Sequence, residues 1–440
     1  MVDSKLPLIA EYDPQRVFAW QAGVAVSCGH ALAAIRSLAG QLQTQTPYIN
    51  LCEQRYCFTL AFAAVGLAGG VNLLPQSRAV DTLEELRADY PTARVIDDEQ
   101  VTTLLASAPA VDPDDTSPLL PATQHMADVF TSGSTGQPGR HSKYWGDLVL
   151  GAHLYGRRFF AAGERPNTVA TVPPQHMYGL ETTVMPALQL GYAVDSGRPF
   201  MPWVISEALM RLPAPRVLIT TPVHLRACHD ADIAMPELTC IISSTAPLDT
   251  HLAGAAETAW DTPVKEIYGC TETGSVASRR TATTDSWMLY DGMYLAQQDG
   301  VWMHGEQLPQ PFAVSDQLEI LDAQTFRLLG RSDDMLKIAG KRMSVNDLVG
   351  HLRAIAGVQD AVVFRPDGEH RSPRPAALVV APDVDEQIIA AQLARAVDPV
   401  FVPRPLLRVD CLPRNALGKV LRADLLALLD QARSRHTANP

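Results

Sequence analysis

The sequence predicts an α/β protein in two parts, a large N-terminal domain of layered, mostly parallel sheets with helices and a small α+β C-terminal domain. Three observations lead there. Short apolar strand-like runs alternate with helical patterns over the first 125 residues, the spacing of strand–helix–strand units. Several later apolar runs end in turns of small and polar residues, where open α/β sheets hold their ligands. The charge balance then changes sign: residues 1–329 hold 20 Lys and Arg against 35 Asp and Glu, net −15, whereas residues 330–440 hold 16 against 13, net +3.

Taken in order, 31–42 has a helical pattern, 47–51 is a short strand, and 56–69 reads as a buried helix. Residues 71–75 form a strand, 81–90 a helix and 93–97 a strand. A polar, proline-rich connection, 112–118, precedes Phe130-Thr131-Ser132-Gly133-Ser134-Thr135-Gly136-Gln137-Pro138-Gly139. Glycines there let the backbone approach a ligand, and free N–H groups with Ser and Thr hydroxyls form an anion-binding concavity. The spacing is not that of a Walker A loop, because Pro138 stands where Gly-Lys is required. Further along, 145–160 is a long helix, and 169–172 is a strand leading into Pro173-Pro174-Gln175-His176-Met177-Tyr178-Gly179-Leu180. Strands at 216–220, from 240 and from 264 each end in a small-residue turn, and 224–228 opens a helix. Residues 302–329 read as short strands. Beyond the shift at 330–334 come helices at 345–355, 385–396 and 423–432 and strands at 360–364 and 376–380.

Composition narrows the function. At 440 residues, 47% apolar and 19% charged, the chain holds more than one core. Net charge −12 argues against a general nucleic-acid binder. The longest apolar stretch, 58–71, is too short and too rich in Ala and Gly to cross a bilayer. Seven cysteines without a CxxC pair and an N-terminus without a signal h-region point to a cytoplasmic protein with reduced thiols.

Four stretches, Thr-Ser-Gly-Ser-Thr-Gly-Gln-Pro from 131, Ser-Ser-Thr-Ala-Pro-Leu from 243, Tyr-Gly-Cys-Thr-Glu-Thr-Gly from 268 and Gly-Arg-Ser-Asp-Asp-Met-Leu-Lys from 330, are followed by Pro-Arg-Asn-Ala-Leu-Gly-Lys from 413. In that order they resemble the core motifs of the adenylate-forming superfamily of acyl-CoA synthetases, peptide-synthetase adenylation domains and luciferases. The resemblance covers roughly residues 45–425. It implies an ATP- and Mg²⁺-dependent enzyme with an adenylation core over residues 1–331 and a mobile lid over residues 332–440, hinged at Asp333. Residues Thr131, Ser132, Gly133, Ser134, Thr135 and Gly136 would hold the ATP phosphates. The usual loop lysine is replaced by Gly139, which leaves Arg140 and Lys143 as the nearest cations, and Lys143 is assigned to the nucleotide. Thr245, Ala246 and Pro247 would pass along the adenine, Tyr268 would stack on it with Gly269 beside it, and Asp316 and Arg331 would meet the ribose or phosphates. The resemblance makes Thr271 an α-phosphate contact and Glu272 the Mg²⁺ ligand. Lys419 would be the catalytic lysine that bridges the acid carboxylate and the phosphates.

For the acid, His176 matches the residue that gates the carboxylate, and His176, Met177, Ser243 and Gly274 would line the pocket. Amino-acid-activating relatives place an aspartate at Met177, so an amino acid is not the expected substrate. The lining of small, apolar and a few polar residues fits a small aryl or short acyl acid better than a long chain. The compact length and the 131–143 and 174–181 segments resemble the AMP-ligases of aryl-polyene and xanthomonadin pigment clusters. That resemblance implies an aryl acid such as a hydroxybenzoate and its transfer to the phosphopantetheine thiol of an acyl carrier protein, an acidic partner for Arg365, Arg371, Arg374, Arg404 and Arg408. The alternative acceptor is free coenzyme A. A non-catalytic nucleotide-binding relative is opposed by the retained Glu272 and Lys419.

Overall fold

The computed structural model describes residues 4–75, 77–106, 116–131, 139–308, 310–331, 335–338, 341–366, 374–414, 420 and 422–438. The expected hydroxyl loop (Ser132, Gly133, Ser134, Thr135, Gly136), the hinge Asp333 and the lysine Lys419 lie outside them, and Arg331 is described in its backbone only. No described helix is long and apolar enough to cross a membrane.

Two main sheets, accompanied by a two-stranded and a three-stranded one, organise the larger domain. The smaller has five strands in the order Arg94–Ile96, Tyr48–Asn50, Asn72–Leu74, His125–Thr131 and Gly139–Tyr144; the first four are parallel and the last returns antiparallel. The larger has eleven strands. Its centre is six parallel strands, Val264–Cys270, Cys240–Ser243, Arg216–Thr220, Asn167–Ala170, Ala193–Asp195 and Val17–Gln21, and antiparallel strands extend it at both ends. Continuous runs such as Cys240-Ile241-Ile242-Ser243, buried at every position, are what a parallel strand covered on both faces requires.

Helix Arg55–Leu67 shows why the layers hold together. It is apolar all round and buried from Arg55 to Gly66, and it touches strands of the small sheet and Ala193–Asp195 of the large one. A helix with no polar face must be enclosed. Arg55 itself donates to the carbonyls of Ala170 at 2.8 Å and Val172 at 3.0 Å, which ties this helix to the segment leading to His176. The strand there ends at Ala170, two residues before its expected limit, and Pro173 and Pro174 follow.

The smaller C-terminal domain has its own core, in which Leu336, Leu348, Val363, Val379 and Leu393 meet. A three-stranded sheet, Asp360–Phe364, Ala376–Val380 and Leu406–Arg408, is accompanied by helices Val345–Arg353, Glu386–Ala396 and Arg422–Ala438. Asp385 caps the second of these by accepting from Gln387 N–H. Arg408 donates to the carbonyls of Ala381, Pro382 and Val384, so this arginine braces a turn.

Candidate active site

Of the expected nucleotide residues, Thr245, Ala246, Pro247, Tyr268 and Gly269 lie at the carboxyl ends of two neighbouring parallel strands. The turn after Cys240–Ser243 contains Thr245 at φ +79°, a left-handed conformation that strains a β-branched residue and recurs at ligand sites. Ser244 hydroxyl donates to the Ile267 carbonyl at 3.0 Å, fastening this turn, with Ala246 and Pro247, to the strand that carries Tyr268. The Tyr268 ring packs against Trp287 and Phe326 and its hydroxyl donates to Asp316 Oδ2 at 2.5 Å. Asp316 stands opposite Arg331 in the antiparallel register. Tyr268, on a central strand beside the 244–247 turn, thus reaches Asp316, which pairs with Arg331 in the two outermost strands at one end of the large sheet.

Gly269 is exposed on its strand, and a side chain there would strike the Gly274 backbone across the hairpin. The turn Thr271-Glu272-Thr273 closes that hairpin, with Cys270 paired to Gly274. Thr271 is half-buried and Glu272 is 43% exposed. Burial pushes the Glu272 carboxyl up, but its own backbone N–H, the Cys270 thiol, His141 and Lys143 together bring it below its ordinary value. It is therefore ionised at neutral pH. One accessible carboxylate is the donor set that Mg²⁺ takes alongside substrate phosphates, so Glu272 fits the metal. When bound, the metal neutralises phosphate charge during displacement.

The small sheet brings the strands that flank the hydroxyl segment, ending at Thr131 and starting at Gly139, toward this turn. Thr131 pairs with Gly139 at the mouth of the loop. His141 Nε2 lies 3.2 Å from Thr131 Oγ1 and 3.6 Å from Glu272 Oε1. Burial, helped by Lys143 and opposed by Glu272, lowers the His141 pKa, so this contact joins a neutral imidazole to the carboxylate. The two nearest cations behave differently. Arg140 donates to the Tyr90 hydroxyl at 3.2 Å, away from the turn. Lys143 is buried and donates from Nζ to the Glu272 carbonyl at 3.0 Å. Burial draws its pKa down against Glu181, Cys270, Glu272 and Asp147, which hold it up.

At the acid end, His176 precedes the short helix Met177–Gly179. Met177 packs against the core that includes helix Arg55–Leu67. Ser243 is fully buried, with a hydroxyl that has no partner among the described residues. Gly274 has φ +71°, and the place of its missing side chain is taken by the Glu181 carboxylate. Burial raises the Glu181 pKa while Ser275 and Lys143 oppose it. His141, Glu181 and Ser275 fall within segments that the sequence singles out, but none was given a role by itself. Nothing in the local sequence marked Glu181 itself, because Leu180-Glu181-Thr182-Thr183-Val184 is not an apolar run and its burial comes from the fold.

This arrangement can bring a carboxylate and a polyphosphate together beside a fixed carboxylate, neutral donors and an aromatic stack, the work of an enzyme that activates acids with a nucleotide. Residues 20–309 match the family model described as AMP-binding enzyme, and the chain belongs to that family, as an adenylate-forming acid–thiol ligase. It is 31% identical over 308 residues to a 4-coumarate--CoA ligase of Halorhodospira halophila, across 68% of this chain and 76% of the relative. It is 26% identical over 335 residues to a probable 2-succinylbenzoate--CoA ligase of Mycobacterium tuberculosis, across 68% of this chain and 83% of the relative. The fold is similar to that of o-succinylbenzoate CoA synthetase from Bacillus subtilis with its acyl-adenylate, with a TM-score of 0.82 at 16% identity, over 96% of this chain and 98% of that one.

Proposed function

We propose that the chain activates a small aryl acid, of the hydroxybenzoate type, and passes it to a phosphopantetheine thiol. The acid carboxylate attacks the α-phosphorus of ATP and pyrophosphate leaves; the thiol then attacks the acyl carbon and AMP leaves. Thr131 and its loop hold the terminal phosphates, Thr271 meets the α-phosphate, and Tyr268 and Asp316 hold the nucleoside. Lys419 offsets the charge of the two approaching anions, and His176 gates the carboxylate. The lid over residues 332–440 turns about Asp333 between the two half-reactions.

One observation carries the acid class: the Glu181 carboxylate fills the space beside Gly274. A long alkyl chain directed along the 274–276 strand meets a buried charged group there, whereas a short ring stops before it. Met177, an apolar residue where an ammonium would need a carboxylate, favours an acid without an α-amino group. The names of the two relatives also refer to aromatic acids.

For the acceptor we favour free coenzyme A, in line with those names. A carrier-protein acceptor is the second reading, resting on the net +3 of residues 330–440 and on the pigment-cluster resemblance; Arg408, engaged with three carbonyls, contributes little to it. Acid-dependent ATP–pyrophosphate exchange over benzoates, hydroxybenzoates, cinnamates, fatty acids and amino acids tests the acid. Exchange with the aryl acids is expected, and exchange with fatty acids alone overturns the reading. Supplying coenzyme A or a phosphopantetheinylated carrier protein to the preformed adenylate separates the acceptors.

A further inference from the structure

Glu181 has a chemical capacity that the reaction above does not use. It lies in Leu180–Val184, a π-helical turn directly after Met177–Gly179; such turns cluster at functional sites. Its Oε2 accepts from the Ser275 N–H at 3.0 Å and the Ser275 hydroxyl at 2.7 Å. Oε1 receives only the longer 3.3 Å approach of the same N–H. It sits where a Gly274 side chain would be, and a side chain at Gly151 would come within 3.7 Å of it. A carboxylate can accept about four hydrogen bonds, so Oε1 keeps unfilled capacity. Beside it, the buried Tyr290 hydroxyl shares the Ser275 side chain, Gln307 Oε1 is buried with no partner among the described residues, and Gln307 Nε2 donates to the Ser275 carbonyl at 3.1 Å. This polar cluster is buried.

Its position relative to the reacting atoms follows from the hairpin. Gly274 faces Cys270, the neighbour of Thr271. In an acyl-adenylate a single oxygen separates the acyl carbon from the α-phosphorus, so an acid whose phosphate rests on Thr271 extends alongside Gly274 and ends near Glu181. We propose that Glu181, held by Ser275 and flanked by Lys143, is a specificity-determining residue that accepts a hydrogen bond from a hydroxyl or amino substituent on the ring of the acid. The inference rests on the aryl-acid reading. Because the Lys143 ammonium already offsets the carboxylate, the pair suits a neutral donor better than a cation. A buried acceptor left unmatched discriminates strongly against analogues that lack the donor.

The test compares kcat/KM for exchange with benzoate and its hydroxy, amino, methoxy and methyl derivatives, in the wild type and in E181Q. The wild type should prefer a donor-bearing acid over its methoxy analogue by roughly tenfold or more, and E181Q should lose most of that preference. Equal wild-type use of hydroxy, methoxy and unsubstituted benzoates overturns this inference while leaving the aryl reading intact. Exchange with fatty acids alone removes the aryl reading itself. A uniform loss across all acids in E181Q makes Glu181 a structural brace and also overturns the inference. The wild-type comparison decides the matter even where E181Q does not fold.

Discussion

Replacing Asp360 with asparagine is expected to loosen the bridge between Arg414 and Val420, which flank Lys419 in the sequence. Asp360 Oδ2 accepts from Arg414 Nε at 2.9 Å, while Oδ1 accepts from Arg414 Nη2 at 3.0 Å and Arg353 Nη2 at 2.6 Å. Arg414 is bridged in antiparallel fashion to Val420, so the carboxylate steadies this bridge. The three side chains are 27%, 22% and 32% exposed. That places the cluster between a surface pair, worth about 0–1 kcal/mol, and a buried one, whose breaking costs about 3–5 kcal/mol. Asparagine keeps one oxygen acceptor, so D360N should cost about 2 kcal/mol in urea unfolding and D360A about 3 kcal/mol. Exchange should fall about tenfold in kcat for D360N, with the ATP KM nearly unchanged, because Lys419 would be misplaced while the residues around Tyr268 stay intact. The pH dependence has a definite sign. Burial raises the Asp360 carboxyl, but the Arg414 bond and the Arg353 and Arg414 charges outweigh it and hold it below the ordinary range. Its stabilisation is complete above the unfolded value of about 3.9 and is lost as pH falls through the lower folded value. The difference between wild type and D360N should therefore be flat from about pH 8 to about pH 5 and shrink below about pH 4. Equal stability and equal exchange in D360N and wild type at pH 7 would refute the reasoning.

Tyr268→Phe removes the bond to Asp316, and the ATP KM should rise about five- to tenfold, the effect of a bond worth about 1–1.5 kcal/mol, with kcat little changed in steady-state exchange. Gly274→Ala forces a side chain onto a left-handed backbone and into Glu181; it should lower the midpoint of thermal unfolding by about 2 kcal/mol equivalent and cut exchange more than the Tyr268 change does. Lys143→Met leaves Glu181 without its neighbouring cation and frees the Glu272 carbonyl; we expect a stability loss of about 2 kcal/mol and a higher Mg²⁺ requirement in a titration of the exchange rate.

What the sequence made legible was local. Helix Arg55–Leu67 was read within about two residues of its ends because an all-apolar face is unmistakable, and the strands ending near Ser243 and Cys270 were read because small-residue turns break their apolar runs. Hairpin Val17–Ser27 was not legible. Val24 is exposed, and the strand pairs with Ala193–Asp195, far away in the chain. The same non-locality hid the polar side of the site. The Glu181 partner Ser275 lies 94 residues away, and His141 reaches Glu272 only because Gly139–Tyr144 turns back along Thr131. Motifs singled out the residues that the structure gathers around Tyr268; the groups that brace them come from strand pairing across the whole domain.

The central claim, that this chain forms acyl-adenylates with Lys419 stabilising the meeting of carboxylate and phosphate, is tested most directly by acid-dependent ATP–pyrophosphate exchange in K419A beside wild type. The account predicts a loss of roughly 10²–10³-fold in kcat with the urea unfolding midpoint preserved. Exchange in K419A at the wild-type rate would contradict it.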